Sequence, residues 1–312
     1  MMRTIELLLV LFVACTIQVQ LPNEMIRGVA ITPSGPLCLA DNATLLLIDE
    51  AQNIGSDWIF VNSYLAVVNT TSSIVFRGPQ TPLNSVLQSY ILQAQAKGLK
   101  VLFKPLIIPL DDSSWLHITP DNATSWFESY ANILCMYADL IPSMDAISIG
   151  LELLALTATH KYDSYWLELI QQVRSCYSGI LTYSALFSLE WERISFWNEL
   201  DWIGIDEYLP VTTPEDPFPP VSYMTEQISN YFDEVRQFRI SHNLTSKPVV
   251  LTELGCYSYT NATFHPANFP PGLKNCTGDY FGNFTTQQVY FEASFAAIEQ
   301  NADVISGVFM YQ

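Results

Sequence analysis

Short runs of strand-forming apolar residues alternate along the chain with longer segments whose apolar positions recur every three to four residues. The first run is IRGVAIT (26–32), followed by a helical stretch, ATLLLIDEAQNIG, from residue 43. DWIFVNSYL (57–65) reads as a second strand. NSVLQSYILQAQAKG (84–98) sets Val86, Tyr90, Ile91 and Ala94 on one helical face and stops at Gly98. KVLFKPLI (100–107) is a third strand, and the helix over residues 121–140 gathers Trp126, Phe127, Tyr130, Leu134 and Tyr137 on one side. DAISIGLEL (145–153) is the fourth strand, followed by a helix over 163–177 built on Trp166, Leu169, Ile170, Val173 and Tyr177. ILTYSALF (180–187), a short helix in EWERISFWNEL (190–200) and the strand DWIGIDEYLPV (201–211) come next. A proline-rich loop, TTPEDPFPP, precedes a helix over 222–240 and the seventh strand, within PVVLTELGCYS (248–258). A long loop (256–285), a helix carrying Val289, Ala293, Ala297 and Ile298, and an eighth strand, ISGVFMY (305–311), complete the pattern.

Eight strands alternating with helices predict an α/β protein, a parallel (β/α)8 barrel. The strands are nearly continuous apolar runs, as strands covered on both faces should be. An open doubly wound sheet is the alternative, but no glycine-rich nucleotide fingerprint follows the first strand. The chain stops at Gln312, straight after the eighth strand. The expected barrel therefore lacks a final helix to cover the seam between strands eight and one.

A chain of 312 residues, 49% of them hydrophobic, can bury one large core, and residues 21–312 are assigned to a single barrel domain. The first residues, MMRTIELLLVLFVACT, place an Arg before an apolar run that ends in small residues. Residues 1–20 therefore read as a signal peptide, too short to span a membrane, and no other segment is long and apolar enough to do so. Seven N-x-S/T sequons, at Asn42, Asn69, Asn122, Asn243, Asn261, Asn275 and Asn283, fit a glycosylated, secreted, extracellular protein. Of the six cysteines, Cys15 falls in the leader, so at least one of the remaining five is unpaired within the chain. Cys256 and Cys276 bracket the loop after strand seven and are the expected disulfide. Cys135 and Cys176, on successive helices, offer a second. The net charge of −18 with only 13 Lys and Arg repels phosphate backbones and argues against nucleic acid as a partner. No cysteine pair has zinc-ligand spacing, and His117, His160, His242 and His265 form no metal motif, so no metal or organic cofactor is expected. The oligomeric state is not legible.

In a β/α barrel, chemistry sits at the C-terminal ends of the strands. Those ends carry Asn62 and Tyr64 (strand two), Lys104 (three), Glu152 (four), Tyr183 (five), Asp206, Glu207 and Tyr208 (six), Glu253 (seven) and Tyr311 (eight), with Trp115 in the loop after strand three. Strands four and seven face one another across the mouth of such a barrel, and two opposed carboxylates suit glycoside hydrolysis. Aromatic side chains around them would stack on sugar faces. Asp206 and Glu207 are adjacent, so only one can face the mouth, and Asp206 is the choice. Tyr183 reads equally as barrel packing, and Lys104 as half of a buried ion pair.

KPLI with the following Trp115, then SIGLEL, SGILTYSA, FWNELDWIGIDEYLPV and PVVLTELG, resembles the glycoside hydrolase 113 family of endo-β-1,4-mannanases, a branch of the retaining β/α-barrel glycosidases. The resemblance spans residues 26–312 and is most specific in the FW-x-x-LD-x-IGID-x-Y run and the TELG strand. It implies Glu152 as general acid/base and Glu253 as nucleophile, with Lys104, Tyr183, Asp206 and Tyr208 lining the subsite at the cleaved bond. The partner it implies is a β-1,4-linked mannan or related polysaccharide. A carbohydrate-binding protein on the same scaffold, without catalysis, is the competing class. Two positions depart from the pattern. Leu151 stands where the clan carries a polar residue, commonly Asn, that helps hold the sugar 2-hydroxyl. Phe309-Met310-Tyr311 stands where the clan tends to place a Trp platform, with Tyr311 as the substitute.

Overall fold

The computed structural model describes residues 25–311 apart from 33–34, 36, 214, 217–218 and 268–282. The expected signal peptide, Asn275 and Cys276 lie outside the described residues. The strands are β1 Ile26–Ile31, β2 Trp58–Val67, β3 Lys100–Pro109, β4 Ala146–Leu151, β5 Ile180–Leu186, β6 Ile203–Glu207, β7 Val249–Gly255 and β8 Ile305–Tyr311. They follow one another in sequence order around a closed barrel. The ladders β1–β2, β2–β3, β3–β4, β4–β5 and β7–β8 are all parallel. Each strand read from the apolar pattern is present, and β8 is the last element among the described residues.

The helices are α1 Asn42–Asn53, α2 Asn84–Ala96, α3 Ala123–Leu140, the single turn α4 Leu154–Thr157, α5 Asp163–Cys176, α6 Val221–Ser241 and α7 Phe284–Gln300. The short helix expected in EWERISFWNEL is instead two 3-10 turns, Trp191–Arg193 and Trp197–Glu199. Each turn anchors one buried Trp, Trp191 or Trp197, with Ile194 and Phe196 buried between them. The chain divides into two compact units, Arg27–Ile205 and, with Met25 and Ile26, Asp206–Gln312.

Within the first unit, β2 and β3 pair over ten residues, from Trp58 opposite Lys100 to Val67 opposite Pro109. The α3 stripe read from sequence is buried, with Trp126, Tyr130, Leu134 and Tyr137 all fully inaccessible. Its N-terminus is capped by the Asn122 side chain, which accepts from the Ser125 amide at 3.1 Å. Such a cap stabilises a helix by about 1 kcal/mol. In α5, Trp166, Leu169, Ile170 and Val173 are buried at i, i+3, i+4 and i+7. A disulfide joins Cys135 of α3 to Cys176 at the end of α5, with Cα atoms 5.6 Å apart. This is the second of the two pairings read from the sequence; the first joined Cys256 to Cys276, which lies outside the described residues. Cys256 is a free thiol, fully buried, with its Sγ toward the Tyr257 carbonyl.

Within the second unit, α6 and α7 are tied by polar side chains. Asn301 donates to Ser229 at 3.3 Å, and Arg236 donates to Asn301 and pairs with Asp303, each at 3.0 Å. The Asn283 side chain caps α7 by accepting from the Thr286 amide at 3.2 Å. No helix among the described residues is long and apolar enough to cross a membrane.

Candidate active site

Glu152 follows β4 directly, and the local backbone is irregular. The β4–β5 register shifts between Ser148 and Leu151, the mark of a bulge that re-aims the next side chain. Glu152 itself has φ of +49°, a left-handed conformation that costs a non-glycine residue about 1–3 kcal/mol unless its surroundings hold it there. They do. The Glu152 amide donates to the Ser184 carbonyl at 2.9 Å, and the next amide, Leu153, donates to the Tyr183 hydroxyl at 2.7 Å. Trp115, in a 3-10 turn after β3, donates its indole N–H to Glu152 Oε2 at 3.3 Å. Both Glu152 and Trp115 are half-buried.

Lys104 of β3 is completely buried, with Nζ 4.9 Å from the centroid of the Phe60 ring. It sits opposite Asn62 in the β2–β3 register. Asn62 is also buried, and its Oδ1 has no hydrogen-bond partner among the described residues. Of its two readings, Tyr183 takes the packing one. Its ring packs edge-on against Trp166 of α5, Phe196 and Trp197, and a Cβ at Gly150 would lie 2.4 Å from it. The hydroxyl is committed to the Leu153 amide and to Glu190 at 2.7 Å. Tyr183 thus supports the backbone around Glu152 rather than offering a face to a ligand. Burial, and then the nearby Glu190 charge, push its phenol well above the usual range.

The other carboxylate, Glu253, lies within β7 and is only 7% exposed. The β7–β8 register shifts between Leu251 and Leu254, so this glutamate too sits at a strand irregularity. Two consecutive β7 side chains then reach β6 and its end. Thr252 donates to Asp206 Oδ1 at 2.7 Å, and the Tyr208 hydroxyl donates to Glu253 Oε2 at 2.5 Å. Burial and the Glu253 charge push the Tyr208 phenol well above its ordinary value, so it stays a donor. The Tyr311 ring meets Tyr208 edge-on at 6.4 Å and remains half-buried.

The adjacent pair on β6 divides as strand alternation requires. Asp206 turns to Thr252, whereas Glu207 turns to α7, where the Tyr290 hydroxyl donates to it at 3.3 Å. Burial pushes Glu207 up to about 7, against the lowering effect of the Leu209 amide and Tyr290. Burial and Glu207 together raise the Cys256 thiol well above its usual range.

Two buried carboxylates, Glu190 and Glu207, have no role in the sequence reading. Glu190 lay inside the supposed short helix. The signal was an acidic residue in the otherwise apolar stretch LFSLEWERISFW, but nothing in one dimension sets it beneath Tyr183. The histidines are structural or peripheral. His160 pairs with Asp163 at the surface, His242 stacks on Phe238, and His265 meets Phe264. Among the described residues, no group of three or more His, Cys, Asp or Glu side chains could hold a metal ion.

Two structures of a β-1,4-mannanase of family 113, one of them a complex, match the fold with a TM-score of 0.73 at 22% identity. The match covers 93% of this chain and 88% of that one. The family 113 β-mannanase from Alicyclobacillus acidocaldarius in complex with ManMIm matches at 0.76 with 20% identity, over 92% of this chain and 87% of that one. A β-glucuronidase from Ruminococcus gnavus is a more distant likeness, at 0.58 and 12% identity over 92% of this chain and 42% of that one. At these identities the likenesses establish the barrel fold. No curated protein matches the sequence. The model of Glycoside Hydrolase Family 113 matches residues 40–312, most of the molecule, and the chain therefore belongs to that family and is a glycoside hydrolase.

Proposed function

We propose that this glycoside hydrolase is a secreted, retaining enzyme that cleaves β-1,4-linked mannan or a closely related polysaccharide. Glu152 is its general acid/base and Glu253 its nucleophile. One observation carries the reading. Glutamates at the C-terminal ends of β4 and β7 each sit at a strand irregularity, and each accepts a hydrogen bond from an aromatic side chain, Trp115 or Tyr208. In barrels of this class the strand ends form the active-site mouth. The β-mannanase titles of the similar structures support the substrate class.

In the first step, protonated Glu152 gives its proton to the glycosidic oxygen while Glu253 attacks the anomeric carbon. The C–O bond breaks, and a glycosyl-enzyme ester forms. In the second step, the Glu152 carboxylate takes a proton from water. The water oxygen attacks the same carbon and releases Glu253, so configuration is retained. This course requires the two carboxyl groups to lie about 5–5.5 Å apart in the working enzyme. The Tyr208 hydroxyl holds one Glu253 oxygen in place beside the anomeric carbon. Lys104, Asp206 and Tyr311 are assigned to substrate binding, with Trp115 beside the acid/base. Export is supported by the leader pattern and the Cys135–Cys176 bridge. The sequon residues Asn42, Asn122, Asn243 and Asn261 are exposed, as glycan acceptors must be, while Asn69 and Asn283 are half-buried.

The test is reducing-end release from mannan, glucomannan, cellulose, xylan, galactan and chitosan, with the anomer first formed read by NMR. The expected result is release from mannan or glucomannan, with the β-anomer appearing first, and none from Glu253→Gln. Release confined to another polymer, or a first-formed α-anomer, overturns the substrate or the mechanism respectively.

A further inference from the structure

Glu190 is completely buried, precedes the Trp191–Arg193 turn and has no part in the steps above. Three donors converge on its carboxylate, each at 2.7 Å. They are the Tyr183 hydroxyl and the Thr157 hydroxyl on Oε1, and the Leu186 amide on Oε2. No cation is among these partners. The amide of Leu186 can only donate, so a glutamine here would either turn its NH2 against that N–H or surrender its bond to Tyr183 and Thr157. Burial raises this carboxyl, and the three donors oppose that shift.

The Tyr183 oxygen works in both directions. Because it gives its proton to Glu190, its lone pairs are free to accept the Leu153 amide. Its ring crosses β4 at Gly150, where any side chain would clash. Tyr183 thus grips the backbone two residues before Glu152 and one residue after it. Thr157, at the end of α4, carries the same carboxylate to the turn that follows. What lies between these grips is the residue at φ +49°.

We propose that Glu190, acting through the Tyr183 hydroxyl, is a positioning residue that holds Glu152 in its left-handed conformation and so aims the acid/base carboxyl at the glycosidic oxygen. The inference rests on the assignment of Glu152 as acid/base. It goes beyond that assignment by naming a buried carboxylate–phenol pair that governs proton transfer through the Glu152 backbone.

The test exploits leaving-group chemistry. A 2,4-dinitrophenyl β-glycoside departs without protonation, whereas a β-1,4-linked oligosaccharide needs the acid. Tyr183→Phe removes one oxygen and keeps the packed ring, so it is the deciding variant, and Glu190→Gln is the second. Each is measured on both substrates at a temperature well below its melting point. Tyr183→Phe is expected to lower kcat on the oligosaccharide about 10- to 100-fold with little change in KM. The first, glycosylation step on the dinitrophenyl substrate should change less than about threefold. Equal losses on both substrates would mean a merely structural role and overturn the inference, as would no loss on either. Glu152→Gln is run in parallel. If it shows the split and Tyr183→Phe does not, only the positioning role fails. If Glu152→Gln itself shows no split, the acid/base assignment fails first.

Discussion

The two glutamates at the strand ends are held in opposite ways. Glu152 is half-buried, sits outside regular strand geometry at φ +49° and accepts from an indole at 3.3 Å. Glu253 lies inside β7, is 7% exposed and accepts from a phenol at 2.5 Å. The difference matches the demands of the proposed roles. An acid/base must gain and lose a proton in every cycle, so it benefits from access to water and from bonds no stronger than its orientation requires. A nucleophile must meet the anomeric carbon in one fixed direction, and a short bond to one of its oxygens fixes that direction. The backbone strain falls on the group whose direction matters most. The rigid strand carries the group that must not move.

Exchanging the two roles is the sharpest way to break the comparison. With a leaving group that needs no acid, azide added to Glu253→Ala should attack from the side the carboxylate vacated and yield the α-glycosyl azide. In Glu152→Ala it should intercept the covalent intermediate and yield the β-azide. Without azide, the Glu253 variant should lose on the order of 10⁴-fold in kcat on every substrate. The Glu152 variant should lose about 10²- to 10⁴-fold in the glycosylation step only where protonation is required, while its base-assisted deglycosylation step slows on every substrate. Interchanged azide products would reverse the assignment.

Much of this arrangement was legible in the sequence, for definite reasons. Strands covered on both faces show themselves as apolar runs, and IGLEL and VLTELG each place a charge where such a run ends. What was not legible depends on angles. Nothing in Gly150-Leu151-Glu152 announces a left-handed glutamate, and period-two alternation fails at the bulges where both carboxylates sit. Tyr183, at a strand end, was read equally as a substrate contact and as barrel packing. Alternation turns it outward, against Trp166, and so decides for packing. Two bridges were read from the sequence, and the one between successive helices is formed. The bridge formed joins Cys135 and Cys176, 41 residues apart, on helices of successive βα units.

That bridge marks a second contrast. The unit carrying Glu152 has its helices cross-linked, whereas α6 and α7 rely on Arg236, Asn301 and Asp303, and Gln287 of α7 donates to the carbonyl of the free cysteine Cys256. Closing a 41-residue separation stabilises by about 4 kcal/mol on the chain-entropy model. Cys135→Ser with Cys176→Ser should lower the denaturation midpoint accordingly, and reducing agent should reproduce the loss in the parent protein. Cys256→Ser should leave the response to reductant unchanged. A parent protein indifferent to reductant would show that the bridge contributes little.

A smaller effect tests the second unit through pH. Glu207 is raised from 4.5 to about 7. Between those values the folded protein keeps a proton that the unfolded chain has released. This contribution to stability is therefore fully present below about pH 4.5 and is lost as pH rises through 7, by roughly 3 kcal/mol at most. Glu207→Gln, neutral throughout, should remove that slope from urea midpoints measured at pH 5 and pH 8. An unchanged slope would mean that Glu207 is already ionised in the folded protein at pH 5.

The smallest effect compares the two aromatic donors directly. Removing the Tyr208 hydroxyl with Phe takes away a buried bond to a charged oxygen, worth about 1.5–3 kcal/mol. That corresponds to a loss of roughly 10- to 100-fold in kcat if the bond matters throughout the reaction. Trp115→Phe removes a longer, half-exposed bond to Glu152 and should cost only a few-fold on the oligosaccharide. The two variants should also differ in kind. Tyr208→Phe disturbs the nucleophile, so it should slow activated and unactivated substrates alike. Trp115→Phe disturbs the acid, so its small effect should appear only with the poor leaving group. If Trp115→Phe proved the more damaging on both substrates, the short bond to Glu253 would be a packing contact, and the tighter restraint would belong to the acid/base.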